Sequence, residues 1–281
     1  PEGNPPASTL RHMRKRGYLD PAEIPPERVH LARAAYLALC ELFDSLVGRV
    51  LDALEETGLA ANTLVLYCSD HGEMAGEHGL WCKSCYYEGA AGVPMIARLP
   101  GVTPDGGRSG AVCSLLDVGP TLCEVAGSEP MADVDGRSLA PLLSGATPSG
   151  WPEETFSELA DLESWPRTPA SGYQASRMIR SGRWKLWLDA DAEQLPPVLY
   201  DLEDDPGETH DLSASAEHAP VRERLLVRLL EGWDPAEVSR ASGELTADRE
   251  VLRAWARRVR PETPDALAVP DDWSEGDVEL L

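Results

Sequence analysis

Apolar residues recur every three or four positions between Pro26 and Gly58. Ala32, Ala35, Tyr36, Leu39, Leu42, Phe43, Leu46, Val47, Val50 and Leu51 form one stripe along a predicted helix, and Gly58 ends it. The period then changes. Residues 64–68, Leu-Val-Leu-Tyr-Cys, are an unbroken apolar run introduced by Asn62 and Thr63 and closed by Ser69, Asp70, His71 and Gly72; such a run predicts a strand buried on both faces. A second run at residues 93–97, Val-Pro-Met-Ile-Ala, closes at Leu99, Pro100 and Gly101. A polar turn at residues 105–108 precedes another helical pattern over residues 113–127. Helix, buried strand, loop, buried strand, helix predicts an α/β domain with a parallel-type sheet.

After about residue 150 the grammar is different. Arg177 to Arg180 and Trp184 to Trp187 flank Ser181 and Gly182, which predicts a hairpin. Val198 to Tyr200 adds a third short strand before a turn at residues 204–207, Asp-Asp-Pro-Gly. Val221, Leu225, Leu226, Leu229 and Leu230 then give a helix over 221–233 one apolar side. The expected organisation is an α/β unit over residues 1–150, a small α+β unit over 151–260, and an acidic, proline-containing peripheral tail over 261–281.

Composition narrows the partners. There are 25 Lys+Arg against 48 Asp+Glu, so 25 − 48 gives a formal charge of −23. That balance argues against non-specific nucleic-acid binding, which depends on neutralising phosphates, and against docking on anionic membranes. The basic cluster Arg11, Arg14, Lys15 and Arg16 reads as a solvated surface segment. No apolar run approaches the roughly 20 residues of a membrane span. Cys40, Cys68, Cys113 and Cys123 have apolar neighbours and are expected to be buried free thiols. Cys82 and Cys85 are spaced as in metal and redox motifs, but neither a second pair nor a strand-to-helix context accompanies them. Such cysteines lean toward a reducing, cytoplasmic compartment.

The chemistry concentrates in residues 69–83. Asp70 and His71 follow the first buried strand directly, and ligands of open α/β sheets bind beyond the carboxyl ends of strands. A carboxylate oxygen beside an imidazole nitrogen suits a divalent cation. His78 and Lys83 follow in a glycine-punctuated loop that can fold back over the same rim. Spacing alone also fits a plainer account, in which Asp70 caps a turn and the histidines and Lys83 are surface groups. Tyr86, Tyr87 and Glu88 read as packing and surface residues.

These residues carry a family resemblance. Asn62 to Glu73, Gly76 to Lys83 with Tyr87 and Glu88, and Val93 to Ile96 resemble the sulfatase family of the alkaline phosphatase superfamily. The Asp-His pair is most similar to its choline-sulfatase-like and phosphonate monoester hydrolase branch. Asp44 with Gly48 to Leu51 resembles the helix before the family's metal strand; Ser114 to Asp117, Pro120 to Leu122 and Asp135 to Leu139 resemble the segment after it. Arg180 to Lys185, Leu199 to Leu202 and Asp205 to Glu208 resemble the family's small C-terminal sheet.

The resemblance implies an alkaline-phosphatase-like α/β sandwich, present in part, followed by a small α+β subdomain with a short antiparallel sheet. It implies a metal-dependent sulfuric ester hydrolase in which Asp70 and His71 bind a divalent ion, calcium before manganese, and the catalytic Lys83 holds the oxygens of a small anionic sulfate or phosphonate ester. His78 maps to no family role and reads as a loop-packing histidine. The family's Cys/Ser-x-Pro-x-Arg segment, the source of its formylglycine, is absent from the sequence, as are its early paired aspartates. The first residue is Pro1 rather than Met, so the chain is expected to be a C-terminal half, inactive alone, with formylglycine in the other half. A phosphonate or phosphate ester hydrolase and a non-catalytic remnant of the fold are the alternatives. Ala91 and Gly92 stand before Val93 where the family often carries Arg.

Overall fold

The computed structural model describes residues 24–160, 175–190 and 196–259. The basic cluster at 11–16 and the tail expected from 261 lie outside the described residues.

Helix α1 spans Pro26–Glu56. Proline at its first turn costs no hydrogen bond, because that N–H has no intrahelical partner anyway. Thr57 closes the helix by returning both its N–H and its hydroxyl to the Ala53 carbonyl, and Gly58 follows at φ 73°. The apolar stripe is present as expected, yet no residue of α1 is buried; Leu39, Leu42 and Phe43 remain exposed. Phe43 does meet Tyr67, with ring centroids 5.9 Å apart, so the stripe faces the first sheet at that point.

Strands β1 (Val65–Cys68) and β2 (Met95–Arg98) form a two-stranded sheet. They pair antiparallel, Val65 opposite Arg98 and Cys68 opposite Met95, which corrects the expectation of a parallel-type arrangement. A parallel partner needs a crossover that carries the chain back along the strand, usually a helix. The intervening residues hold no crossover helix, only a 3₁₀ turn at Glu77–Gly79 and the four-residue helix α2 (Glu88–Ala91), and the Gly72 N–H bonds the Ala90 carbonyl at 2.8 Å. The chain therefore turns near the carboxyl end of β1 and re-enters beside it. Neither strand is buried on both faces: β1 is half-buried throughout, and β2 alternates between half-buried and exposed.

A 3₁₀ turn at Leu115–Asp117 leads into helix α3 (Val118–Ala126). Ser114 and Asp117 form a capping box there, which satisfies donors that a helix start leaves open. Asp117 also accepts the Arg137 N–H at 2.8 Å, tying the segment before helix α4 (Ala140–Leu143) to α3.

The second sheet is an antiparallel meander in the order β3 (Glu154–Ala160), β4 (Ala175–Ser181), β5 (Trp184–Asp189), β6 (Val198–Asp201). The expected hairpin is β4–β5, turning at Gly182 with φ 57°, and the third expected strand is β6. Strand β3 is an addition. Successive side chains alternate between faces. Ile179, Leu186 and Leu199 point to one side, where Leu225 and Leu229 of helix α5 (Ala219–Leu230) cover them. Met178, Trp187, Val198 and Tyr200 point to the other, where they meet Met74, Leu80, Tyr86 and Tyr87. The second face of the small sheet is thus the floor on which the loop after β1 is built. Helix α6 (Pro235–Val259) follows. No helix among the described residues is long and apolar enough to cross a membrane.

Of the cysteines with apolar neighbours, Cys40 is exposed and Cys68, Cys113 and Cys123 are half-buried free thiols, not the buried ones expected. Cys40 lies on α1, whose stripe is uncovered. Cys85 is the buried thiol, and burial pushes its pKa up to about 12.

Candidate metal and anion site

The site starts where β1 ends. Asp70 is exposed, its side chain 84 % accessible, and His71 beside it is about one-third accessible. Asp70 Oδ1 accepts the His71 N–H at 3.0 Å, so the carboxylate does cap its own turn. Its other oxygen stays open, 3.5 Å from His71 Nε2.

The His71 ring is oriented by its far side. Nδ1 lies 2.8 Å from the Gly72 carbonyl, which can only accept, so Nδ1 carries the proton. That leaves the Nε2 lone pair aimed toward Asp70 and Lys83. An imidazole whose second nitrogen donates to a carbonyl is the usual arrangement of a metal-binding histidine. Lys83 Nζ reaches the same point, 2.5 Å from Nε2. Asp70, His71 and Lys83 therefore converge.

The loop that returns Lys83 is held by Glu73, whose Oε1 accepts the N–H of Ala75 at 3.0 Å and of Cys82 at 2.7 Å. Met74 N–H bonds the Cys82 carbonyl and Gly76 N–H the Leu80 carbonyl, closing residues 74–82 like a hairpin. Three non-glycine residues, Ala75, His78 and Cys82, adopt positive φ there. Each costs on the order of 1 kcal/mol, a strain that packing must offset. Arg33 of α1 adds a bond from Nε to the Ala75 carbonyl at 2.6 Å.

His78 does not join the rim. It is buried and stacks on Tyr87, centroids 4.1 Å apart and planes 11° apart. Burial holds its pKa below the ordinary histidine value, against the opposing pull of Glu77 and the Gly207 carbonyl. It is the packing residue the sequence suggests. Tyr86 and Tyr87 are likewise buried. Glu88 is not a plain surface group: it pairs with Lys185 and Arg180 of the meander. The motif pattern draws no attention to Glu73 as the organiser of the loop, because a glutamate bonding backbone N–H groups nine residues away leaves no periodic trace.

The donor set fits a divalent cation as far as it goes. Among the described residues no group of three or more His, Cys, Asp or Glu could hold a metal, and Asp70 and His71 bring two donors together.

Family profiles match along most of this framework. One, described as Sulfatase, covers residues 10–128, and another, described as N-sulphoglucosamine sulphohydrolase, C-terminal, covers residues 76–233. The chain belongs to the sulfatase family. This sulfatase chain is 35 % identical to choline-sulfatase of Rhizobium meliloti (strain 1021) over 238 residues, 82 % of this chain and 43 % of that protein. It is 35 % identical to arylsulfatase K of Xenopus laevis over 179 residues, 63 % of this chain and 32 % of that protein. Phosphonate monoester hydrolase SpPMH from Silicibacter pomeroyi superposes with a TM-score of 0.68 at 32 % identity, over 83 % of this chain and 50 % of that one. A structure solved in complex with its substrate, D-glucosamine-2-N,6-O-disulfate, superposes with a TM-score of 0.62 at 30 % identity, over 73 % and 40 %. The sulfatase chain thus spans half the length or less of these relatives. The alkaline-phosphatase-like fold expected from the motifs holds, in part, with its small antiparallel sheet. As a family, sulfatases use a divalent metal and a formylglycine.

Proposed function

We propose that this chain contributes part of the active site of a metal-dependent sulfuric ester hydrolase, with Asp70 and His71 as metal ligands and Lys83 as the catalytic cation on the transferring group. One observation carries the reading. Asp70 Oδ2, the lone pair of His71 Nε2 and Lys83 Nζ meet at the carboxyl end of β1, and the Gly72 carbonyl fixes the histidine tautomer. A divalent ion at such a site offsets the charge of an ester anion and polarises its oxygens. Calcium is the ion expected for the family, and the nitrogen donor of His71 suits manganese as well.

What the chain's own groups do follows from their chemistry. Lys83 is a point charge on a flexible stem, able to leave His71 Nε2 and follow an anion's oxygens as charge builds on the leaving group. Gly72 O and His71 Nδ1 hold the ring still meanwhile. Without a Cys/Ser-x-Pro-x-Arg segment the 281 residues contain no family nucleophile. The purified chain alone is expected to hydrolyse no aryl sulfate; metal-dependent turnover by an uncontaminated sample would overturn that.

The proposal is tested by adding Mn²⁺ to the chain and following the Asp70 and His71 resonances. Selective broadening, lost in His71→Ala, supports it, and an unselective response rejects it. A phosphonate ester is the second reading, favoured by the imidazole beside Asp70 and by the likeness to a phosphonate monoester hydrolase. Relative turnover of paired aryl sulfate and aryl phosphonate esters by the whole protein separates the two. In either case the partner is a small anionic ester.

A further inference from the structure

Lys185 lies on the face of β5 that looks toward the site loop and has no solvent exposure. A cation so placed persists only when its donors are matched. Its ammonium reaches the Tyr86 carbonyl at 2.9 Å, Glu208 Oε1 at 2.8 Å and Glu88 Oε1 at 2.5 Å. Glu208 is itself 3 % exposed, and its Oε2 accepts the Glu88 backbone N–H at 2.6 Å.

The backbone partners of this buried pair are therefore in the loop, not the sheet. Tyr86 O and Glu88 N bracket the entry to α2, and from α2 the bonds continue to the rim. Ala90 O accepts the Gly72 N–H at 2.8 Å, and Gly72 O accepts from His71 Nδ1 at 2.8 Å. The contact has no slack, because a Cβ at Gly72 would stand 2.1 Å from the Gly89 carbonyl oxygen. Stability alone does not call for such a pair, since well-packed apolar side chains of similar size usually serve a core as well or better.

We infer that Lys185 and Glu208 are positioning residues for the rim: they fix the start of α2, and α2 fixes the backbone that orients His71. This rests on the metal and anion reading of Asp70, His71 and Lys83. The C-terminal sheet then acts on the site without touching substrate.

The test uses the full 281-residue chain with Lys185→Met/Glu208→Leu, which removes both charges together, and with Glu208→Gln, which keeps an oxygen for Glu88 N–H. The readouts are amide exchange at Gly72, amide exchange in β4 and β5, and the ¹⁵N shifts of the His71 ring. In the double variant Gly72 exchanges about tenfold faster or more, the effect of losing a buried charge-assisted bond. The His71 nitrogens move from a single-tautomer signature toward the averaged one, and the sheet amides keep their rates. Glu208→Gln gives a smaller acceleration at Gly72, roughly threefold. Unchanged Gly72 and His71 signals in a folded double variant overturn the inference, as does equal acceleration across the sheet. Should the double variant not fold, an unaltered Gly72 rate in Glu208→Gln overturns it alone. Mn²⁺ broadening in the unaltered chain reports separately on the metal reading; its absence would reject that reading while the Gly72 and His71 signals still decide this one.

Discussion

Gly72 and Gly89 approach so closely that a Cβ on Gly72 would stand 2.1 Å from the Gly89 carbonyl oxygen. Both the obstacle and the residue that meets it are backbone, so neither can rotate away. Gly72→Ala is expected to cost about 1–3 kcal/mol, the range for inserting a methyl where there is no room. The measurement is the urea midpoint. A midpoint equal to that of the parent chain would show that the loop yields.

Lys83 offers the opposite case. It is exposed, so Lys83→Gln should shift stability by no more than about 0.5 kcal/mol. In the whole protein the same change is expected to lower turnover roughly a hundredfold, typical for removing one charge stabiliser of a transition state. Thermal denaturation and steady-state kinetics on the same preparation check both halves. A large loss of stability would make Lys83 a structural residue.

His78 should make stability depend on pH. Its folded pKa lies below the ordinary value of 6.5 because it is buried neutral. Between the two pKa values the unfolded chain binds the extra proton, so its contribution is whole above pH 6.5 and fades as pH falls toward the folded pKa. His78→Phe keeps a ring against Tyr87 and removes the proton. Denaturation midpoints measured from pH 8 down to pH 5 should fall more steeply in the parent chain than in the variant. Parallel curves would reject the assignment.

The cysteines give a chemical check on burial. Cys85, with its pKa pushed to about 12, has almost no thiolate at pH 8, whereas Cys40 is exposed on α1. Iodoacetamide should alkylate Cys40 in the folded chain and reach Cys85 only after denaturation. Peptide mass mapping reads the order, and early labelling of Cys85 would contradict the packing around it.

Much of this was legible from local pattern. The stripe of α1, the β4–β5 hairpin, β6 and the Asp70-His71 pair after β1 each follow from a period or a turn that a short window contains. The direction of the β1–β2 pairing does not, since it depends on how residues 69–94 return and not on the composition of either strand. Strand β3 leaves no such pattern, because Glu154, Thr155, Ser157 and Glu158 leave Phe156 and Leu159 as its only large apolar side chains. The ion network leaves none for another reason. Alternation places Lys185 beside Trp187 on one face, but its complete burial depends on Glu88 and Glu208, far away along the chain.

The alternation of β5 has one more implication. Lys185 and Trp187 serve the loop side while Leu186 and Leu188 serve the helix side. Sliding the strand by one residue would exchange these assignments, driving an ammonium into the greasy layer under α5 and leaving the buried Glu208 carboxylate without its counter-ion. A misaligned meander would be penalised as soon as α5 packed on it. The lysine thus proof-reads the register of the sheet that carries it.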